Sequence, residues 1–245
     1  MHYNWNWAIF WQLSEDGRHT WFMTLIMGLG WTLATAFCAG IIALILGSFI
    51  GVVRTMPVRW AVRVGNAYVE LFRNIPLLVQ LFIWFFVLPE LLPTSLGDSI
   101  KQMTPPWASF VPAVLGLGLF TAARVAEQVR AGIQALARGQ GMAATALGLT
   151  LAQTYRNVLL PMAFRIIMPP LTSETMNLIK NTSVALTIGL IELTAAARSM
   201  QEFTFQVFEA FTAATVLYLL INAVVVTAMR FLERRVAIPG YITGK

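Results

Sequence analysis

Thirty-three consecutive residues, Trp21 to Val53, contain no charged side chain. No other feature restricts the chain so tightly, because roughly 20 apolar residues in helical form already cross the hydrocarbon of a bilayer. Composition points the same way: 58% of the residues are hydrophobic, 11% are charged, and the mean hydropathy is +0.70. An ordinary soluble domain carries about 25% charged residues. A 245-residue soluble fold has too little interior to hide this much apolar surface. The beginning of the chain lacks the basic first segment of a cleavable signal, and its apolar stretch is too long for one, so the first helix is expected to stay in the mature protein.

Charges and prolines punctuate four further apolar stretches. Sixteen uncharged residues separate Arg73 from Glu90, and 22 run from Gln102 to Ala123. A fourth span is expected to open at Pro169-Pro170, because proline suits a first helical turn and breaks an interior. The fifth runs from Ala210 to Met229. The expectation is an all-α polytopic membrane protein with about five transmembrane helices, at residues 22–53, 68–89, 107–130, 170–191 and 208–231. Residues 1–20 form an outer N-terminal segment, residues 21–235 the transmembrane domain, and residues 236–245 an inner tail.

Lys and Arg accumulate on the cytoplasmic side of short loops. Arg54, Arg59 and Arg63 follow the first span, Arg130, Arg138, Arg156 and Arg165 lie between the third and fourth, and Arg230, Arg234, Arg235 and Lys245 follow the fifth. The alternate loops hold Arg18, Lys101 and Arg198 against seven acidic residues. The N-terminus is therefore expected outside the membrane and the C-terminus inside. Basic residues scattered along rims do not form the single stripe that nucleic acid demands. Trp5, Trp7, Trp11 and Trp21 read as interfacial anchors.

Much chemistry is excluded. Cys38 is the lone cysteine and His2 and His19 are the two histidines, too few for a thiolate metal cluster, a zinc site or a Ser-His-Asp triad. None of the three lysines is followed by Ser or Thr, so a phosphate-cradling Gly-x-x-x-x-Gly-Lys-Ser/Thr loop is absent. No cofactor is expected in this chain, and any ATP and Mg must be bound by a partner.

The basic connection at 138–161 is too long to be a simple loop. Met142 to Leu147 is Ala-rich and favours helix, Gly148 is placed for a left-handed helix end, and Thr150-Leu-Ala-Gln153 has the spacing of a capping box. A second helix opens there and must stop before Pro161. The result is a helix–turn–helix knuckle whose small Ala143, Ala144 and Ala146 let another protein approach the backbone. The alternative is an amphipathic hairpin lying on lipid headgroups.

Gly139-Gln140, Ala143-Ala144, Gly148, Val158 and Leu160-Pro161 resemble the Glu-Ala-Ala loop of ABC importer membrane subunits. Tyr68-Val-Glu-Leu-Phe-Arg-Asn-Ile-Pro76-Leu-Leu-Val-Gln80 is similar to the second-helix opening of the polar amino acid branch. The resemblance covers about residues 25 to 235, with one departure, Met142 in place of the first Glu. It implies a type I ABC importer transmembrane fold with a cytoplasmic coupling helix, and a non-catalytic permease working with two copies of an ATPase subunit, a second permease (paralogue or self) and a periplasmic solute-binding protein. Ala143, Ala144 and Gly148 would then contact the ATPase closely, with Pro161 ending the motif. Arg138, Gln140 and Arg156 would supply polar contacts around them.

Ionisable residues inside spans are expensive in lipid and mark pathways. Arg124, Glu127 and Arg130 follow one another at three-residue spacing, and Lys180 precedes Asn181, Thr182 and Ser183. Arg124 and Glu127 read either as an internal ion pair or, with Lys180 to Ser183, as part of the substrate pathway. Lys180 has the further option of pairing with Glu174 or Glu127. The Phe120-Thr-Ala-Ala-Arg-Val125 and Asn177-Leu-Ile-Lys-Asn181 runs resemble glutamate/aspartate importer subunits, and a guanidinium matches a substrate's second carboxylate. Other polar amino acids, such as glutamine, are the alternative substrates. Glu70 and Arg73 read as helix-end residues and Glu192 as an outer rim residue facing the binding protein. A self-sufficient ion-coupled carrier would show inverted repeats, and none is evident.

Overall fold

The structure, a computed structural model, describes residues 3–236, with the Arg138 side chain outside the described set. Of the expected tail only Val236 falls within it. Apart from an isolated bridge between Leu13 and Thr20, every regular element among the described residues is helical. A 3-10 turn at Trp7–Trp11 precedes α1 (Trp21–Val53), α2 (Arg59–Asn74), α3 (Leu77–Phe82), α4 (Leu88–Leu91), α5 (Thr94–Lys101) and α6 (Trp107–Gln134). Then come α7 (Arg138–Ala146), α8 (Leu151–Thr154), α9 (Leu160–Asn181), α10 (Leu193–Thr204) and α11 (Val207–Val236). Helices α1, α6 and α11 are long and apolar enough to cross a membrane unaided, and the count reaches five if Arg59–Asn74 with Leu77–Leu91, and Leu151–Ile188 with Leu193–Thr204, are each one broken span. Most of α1 and α11 is left uncovered by the chain itself, whereas 61% of the apolar window of α6 is buried. A helix apolar on all sides belongs in lipid, and α6 is the one around which protein packs.

Two expected spans have different bounds. The one placed at 68–89 is broken: residues 68–74 close α2, and the chain restarts after Pro76. Proline forces the residue before it out of the helical region, and Ile75 is extended at φ −92° and ψ 128°. The span expected to open at Pro169-Pro170 opens at Leu160, with both prolines inside α9. Neighbouring helices re-satisfy the backbone groups that prolines free within membrane helices, so the pair is tolerated.

The second arm of the knuckle does not stop before Pro161 either. A π-helical segment, Tyr155–Leu159, carries it directly into α9. The same grammar occurs at Ile83–Val87, where a π segment is again followed by Leu-Pro, Leu88-Pro89. A proline ring crowds the carbonyl four residues back and cannot bond to it, while a π turn bonds five residues along. The wider turn removes the conflict, and the helix passes through a residue that normally ends it.

The chain divides into two compact units, with the division falling inside α1, α6, α9 and α11. The first comprises residues 3–39, 76–118 and 177–223. One core here gathers Trp21 and Leu25 with Leu193, Ala197, Met200 and Ala210, and another gathers Leu81, Ala113, Ala185, Ile188 and Leu190. Helix α1 meets α10 so closely that a Cβ on Gly28 would stand 2.9 Å from Ala196 Cβ. Glu192 is fully buried, not a rim residue. It caps α10 by accepting from the backbone of Thr194 (3.0 Å) and Ala195 (2.8 Å), and Tyr218 Oη donates to it at 2.9 Å. Glu209, equally buried, accepts from the Asn6 backbone at 2.7 Å and from Tyr3 Oη, tying the N-terminal segment to the first turn of α11.

The second unit comprises residues 40–75, 119–176 and 224–236 of the described chain. Its main core joins Ala43, Ala122, Val125 and Val129 with Tyr155, Ala163, Ile167 and Leu171. Gly47 and Gly51, four residues apart, let α1 touch α6: Cβ atoms there would lie 2.7 Å from Val125 Cβ and 2.6 Å from Val129 Cβ. Small residues at that spacing are how membrane helices approach closely in the absence of a hydrophobic driving force between them.

Candidate functional site: a helical knuckle and a guanidinium cluster

Helix α7 begins at Arg138, four residues earlier than the Ala-rich stretch alone indicates. Its end is a Schellman motif: Gly148 sits at φ +79°, its N–H donates to Thr145 O at 2.9 Å, and Leu149 N–H donates to Ala144 O at 3.1 Å. Thr150 then opens the next helix with a complete capping box. Gln153 N–H donates to Thr150 Oγ1 (3.3 Å) and Thr150 N–H to Gln153 Oε1 (2.8 Å), so orphan donors on both sides of the turn are satisfied. The second arm, continuous with α9, is braced by Tyr155, whose hydroxyl donates to Thr55 O at 2.9 Å and lies 3.0 Å from Thr55 Oγ1. An open cleft of about 500 Å³ beside it is lined by Arg54, Thr55, Gln134, Ala137, Gly141 and Tyr155, among others.

The exposed ridge of the knuckle follows the small residues only in part. Ala143, Gly148, Arg156 and Pro161 are exposed and Gln140 is half-buried, but Ala144 is 3% exposed and faces inward. The prominent side chains are Met142 (67% exposed), Leu147 (82%) and Leu151. The sequence held a signal for them: large apolar residues in a short Ala-rich helix with no counterpart face to bury them.

In the same unit, α6 carries its ionisable residues into two separate clusters. Arg124 does not pair with Glu127. It makes a two-pronged bond to Glu174 of α9, Nε to Oε2 at 2.7 Å and Nη2 to Oε1 at 3.1 Å, with the guanidinium 5.9 Å from the Phe120 ring centroid. Glu127 instead accepts from Arg54 Nη1 at 2.8 Å and has Arg73 Nη1 at 3.5 Å. Arg54, at the end of α1, also donates Nε to Asn66 Oδ1 at 2.8 Å, and its stem lies over Gly65, where a Cβ would stand 2.7 Å from Arg54 Cγ. Asn66 and Arg73 are two turns apart on one face of α2. Arg54, Asn66 and Arg73 were missed as members of this cluster, because nothing in a linear pattern pairs positions 73 residues apart.

The Lys180-to-Ser183 stretch belongs to the first unit, where α9 tightens into a 3-10 segment, Thr182–Ile188. Lys180 is exposed and forms no ion pair among the described residues, so neither Glu174 nor Glu127 is its partner. Thr182 is fully buried and donates to Ile179 O at 2.7 Å, and Ser183 donates to Lys180 O at 2.7 Å. Both hydroxyls are spent on the helix end. Gly189, at φ +84°, terminates the segment.

Residues 43–238 match the family described as binding-protein-dependent transport system inner membrane component. The chain belongs to that family. The glutamate/aspartate import permease protein GltJ of Escherichia coli, strains K12 and O6:H1, is 50% identical over 246 residues, covering all of both chains. The glutamate/aspartate import permease protein GltK of Escherichia coli O6:H1 is 32% identical over 216 residues, 87% of this chain and 93% of the relative. Among solved structures, the crystal structure of an amino acid ABC transporter with histidines superposes with a TM-score of 0.74 at 31% identity, over 88% of this chain and 95% of that one. The fold of the permease is thus the all-helical type I ABC importer fold, multi-pass in the inner membrane. Its knuckle departs from the family's Glu-Ala-Ala pattern at Met142, and the structure gives that position a physical character: an exposed thioether, adaptable in shape, where the pattern has a carboxylate.

Proposed function

We propose that the chain is the membrane-spanning permease subunit of an ATP-driven importer of acidic amino acids, glutamate and aspartate. Full-length identity of 50% to a glutamate/aspartate import permease carries this reading. The chain itself does no chemistry and holds no cofactor. An ATPase subunit, present twice, binds and hydrolyses ATP, a periplasmic binding protein delivers the amino acid, and a second permease completes the pathway. One Escherichia coli strain has both GltJ and GltK under the same substrate name, and this chain is 50% identical to the first and 32% to the second. That difference favours a GltK-like paralogue over a second copy.

The knuckle at 138–161 is the coupling element. Met142, Ala143, Leu147 and Leu151 present an apolar ridge for a groove of the ATPase, flanked by Arg138, Gln140 and Arg156, while the Gly148 turn and Pro161 fix its shape. Arg124, Glu127 and the Lys180, Asn181, Thr182 and Ser183 stretch border the pathway, with the N-terminus periplasmic and residues 236–245 cytoplasmic. Reconstitution with the partner subunits and binding protein, followed by uptake of labelled glutamate, tests the whole. Glutamate uptake that needs ATP and is competed by aspartate but not by glutamine is the expected result. Competition by glutamine alone overturns the substrate class.

A further inference from the structure

The charges of the second unit do not balance around Glu127. Arg124 is committed to Glu174 through both prongs. Arg54, with its side chain 5% exposed, is committed to Glu127 and Asn66, so Glu127 is neutralised from within the protein. Arg73 reaches toward the same Glu127 oxygen, at 3.5 Å, with its side chain 53% exposed. Arg130, one helical turn beyond Glu127 on α6, lies within electrostatic range of that carboxylate. It forms no ion pair among the described residues, and its Nε is buried without a hydrogen-bond partner. Arg54 and Arg73 therefore share one carboxylate, and Arg130, three residues along the same helix face, brings a further positive charge with no ion-pair partner among the described residues.

An unpaired buried donor on a cation is costly, and an oxyanion relieves it. The planar fork of Arg fits carboxylate and phosphate alike, and the 39% exposure of the Glu127 side chain leaves the cluster open to a ligand. We propose that Arg73 and Arg130 form an anion-binding subsite, steadied by Glu127, that takes one oxyanion: a carboxylate of the acidic cargo or the phosphate of a lipid headgroup. Arg124, the residue sequence patterns single out for a substrate carboxylate, spends Nε and Nη2 on Glu174. Arg130 has no such counter-charge among the described residues, and its Nε has no partner. The cargo source rests on the acidic-substrate function proposed above, and the lipid source does not.

The test uses the assembled importer with its binding protein, in vesicles of neutral phosphatidylcholine and in vesicles containing phosphatidylglycerol. Arg130→Gln, Arg130→Lys and Arg73→Gln are compared with the parent for glutamate uptake and ATP hydrolysis. If cargo is the source, Arg130→Gln lowers glutamate imported per ATP about tenfold in both vesicles, as loss of one charge-assisted contact implies, while hydrolysis persists and Arg130→Lys restores part of the loss. If a lipid is the source, phosphatidylglycerol stimulates the parent and leaves Arg130→Gln unmoved. Variants that match the parent in uptake per ATP and in response to phosphatidylglycerol overturn the subsite. Arg73→Gln, at an exposed position, reads the same outcomes should Arg130→Gln assemble poorly. A parent that imports no glutamate but another amino acid refutes the acidic-substrate function alone, and the lipid response then decides the subsite.

Discussion

Arg124 and Glu174 show what a single pair does in this chain. Glu174 has an 11% exposed side chain, and Arg124 one 41% exposed. Forming the fork has helped to hold α6 against α9 at the cost of stripping a carboxylate of water. Removing one partner is worse than removing both, because the remaining charge stays where solvent reaches it poorly. With Arg124 partly screened by solvent, Glu174→Gln is expected to destabilise by about 1 kcal/mol. Arg124→Gln combined with Glu174→Gln is expected to recover most of that loss, since the double variant buries no unpaired charge. Thermal melting of the purified complex reads both. A double variant whose loss equals or exceeds the sum of the two single losses would mean that the fork is not what joins these positions.

The knuckle can be weighed as an element, because its geometry rests on two residues. Any side chain at Gly148 must adopt φ +79°, which costs about 1 kcal/mol for an L-residue, and Thr150→Ala removes the capping box at about 1 kcal/mol. Neither position is packed: a Cβ on Gly148 would meet nothing within 4 Å. Gly148→Ala and Thr150→Ala are therefore expected to leave the membrane helices intact while reducing the ATPase retained when the tagged permease is pulled down, with the double variant losing more than either. Equal retention in all three separates the turn from the coupling role. This element was also the most legible part of the sequence, because helix ends are written in local chemistry: Gly148, Thr150 and Gln153 act within five residues of one another. Helix continuity was less so. Pro161 reads locally as a stop and Pro169-Pro170 as a start, yet a π turn and neighbouring helices absorb them. Partners such as Arg54 with Glu127 and Arg124 with Glu174 were illegible, since only packing brings positions 73 and 50 residues apart into contact.

Across the whole molecule, charge follows the division into units. Among the described residues, segments of the second unit hold 12 of the 16 Lys and Arg residues and 4 of the 11 Asp and Glu residues, so the first unit holds 4 basic residues and 7 acidic ones. By the retention of Lys and Arg on the cytoplasmic side, the knuckle is expected on the cytoplasmic side and the N-terminal segment on the periplasmic side. Labelling tests the assignment directly. Cys38 is the chain's lone cysteine, so Cys38→Ser gives a blank background. Leu147→Cys at the knuckle tip (Leu147 82% exposed) and Leu13→Cys in the N-terminal segment (Leu13 62%) place single thiols where a reagent can reach them. A membrane-impermeant maleimide applied to intact spheroplasts is expected to label Leu13→Cys and spare Leu147→Cys, and inverted vesicles should reverse the pattern. Labelling of Leu147→Cys from outside would leave a cytoplasmic ATPase nothing to grip, and the coupling role would fall with the orientation.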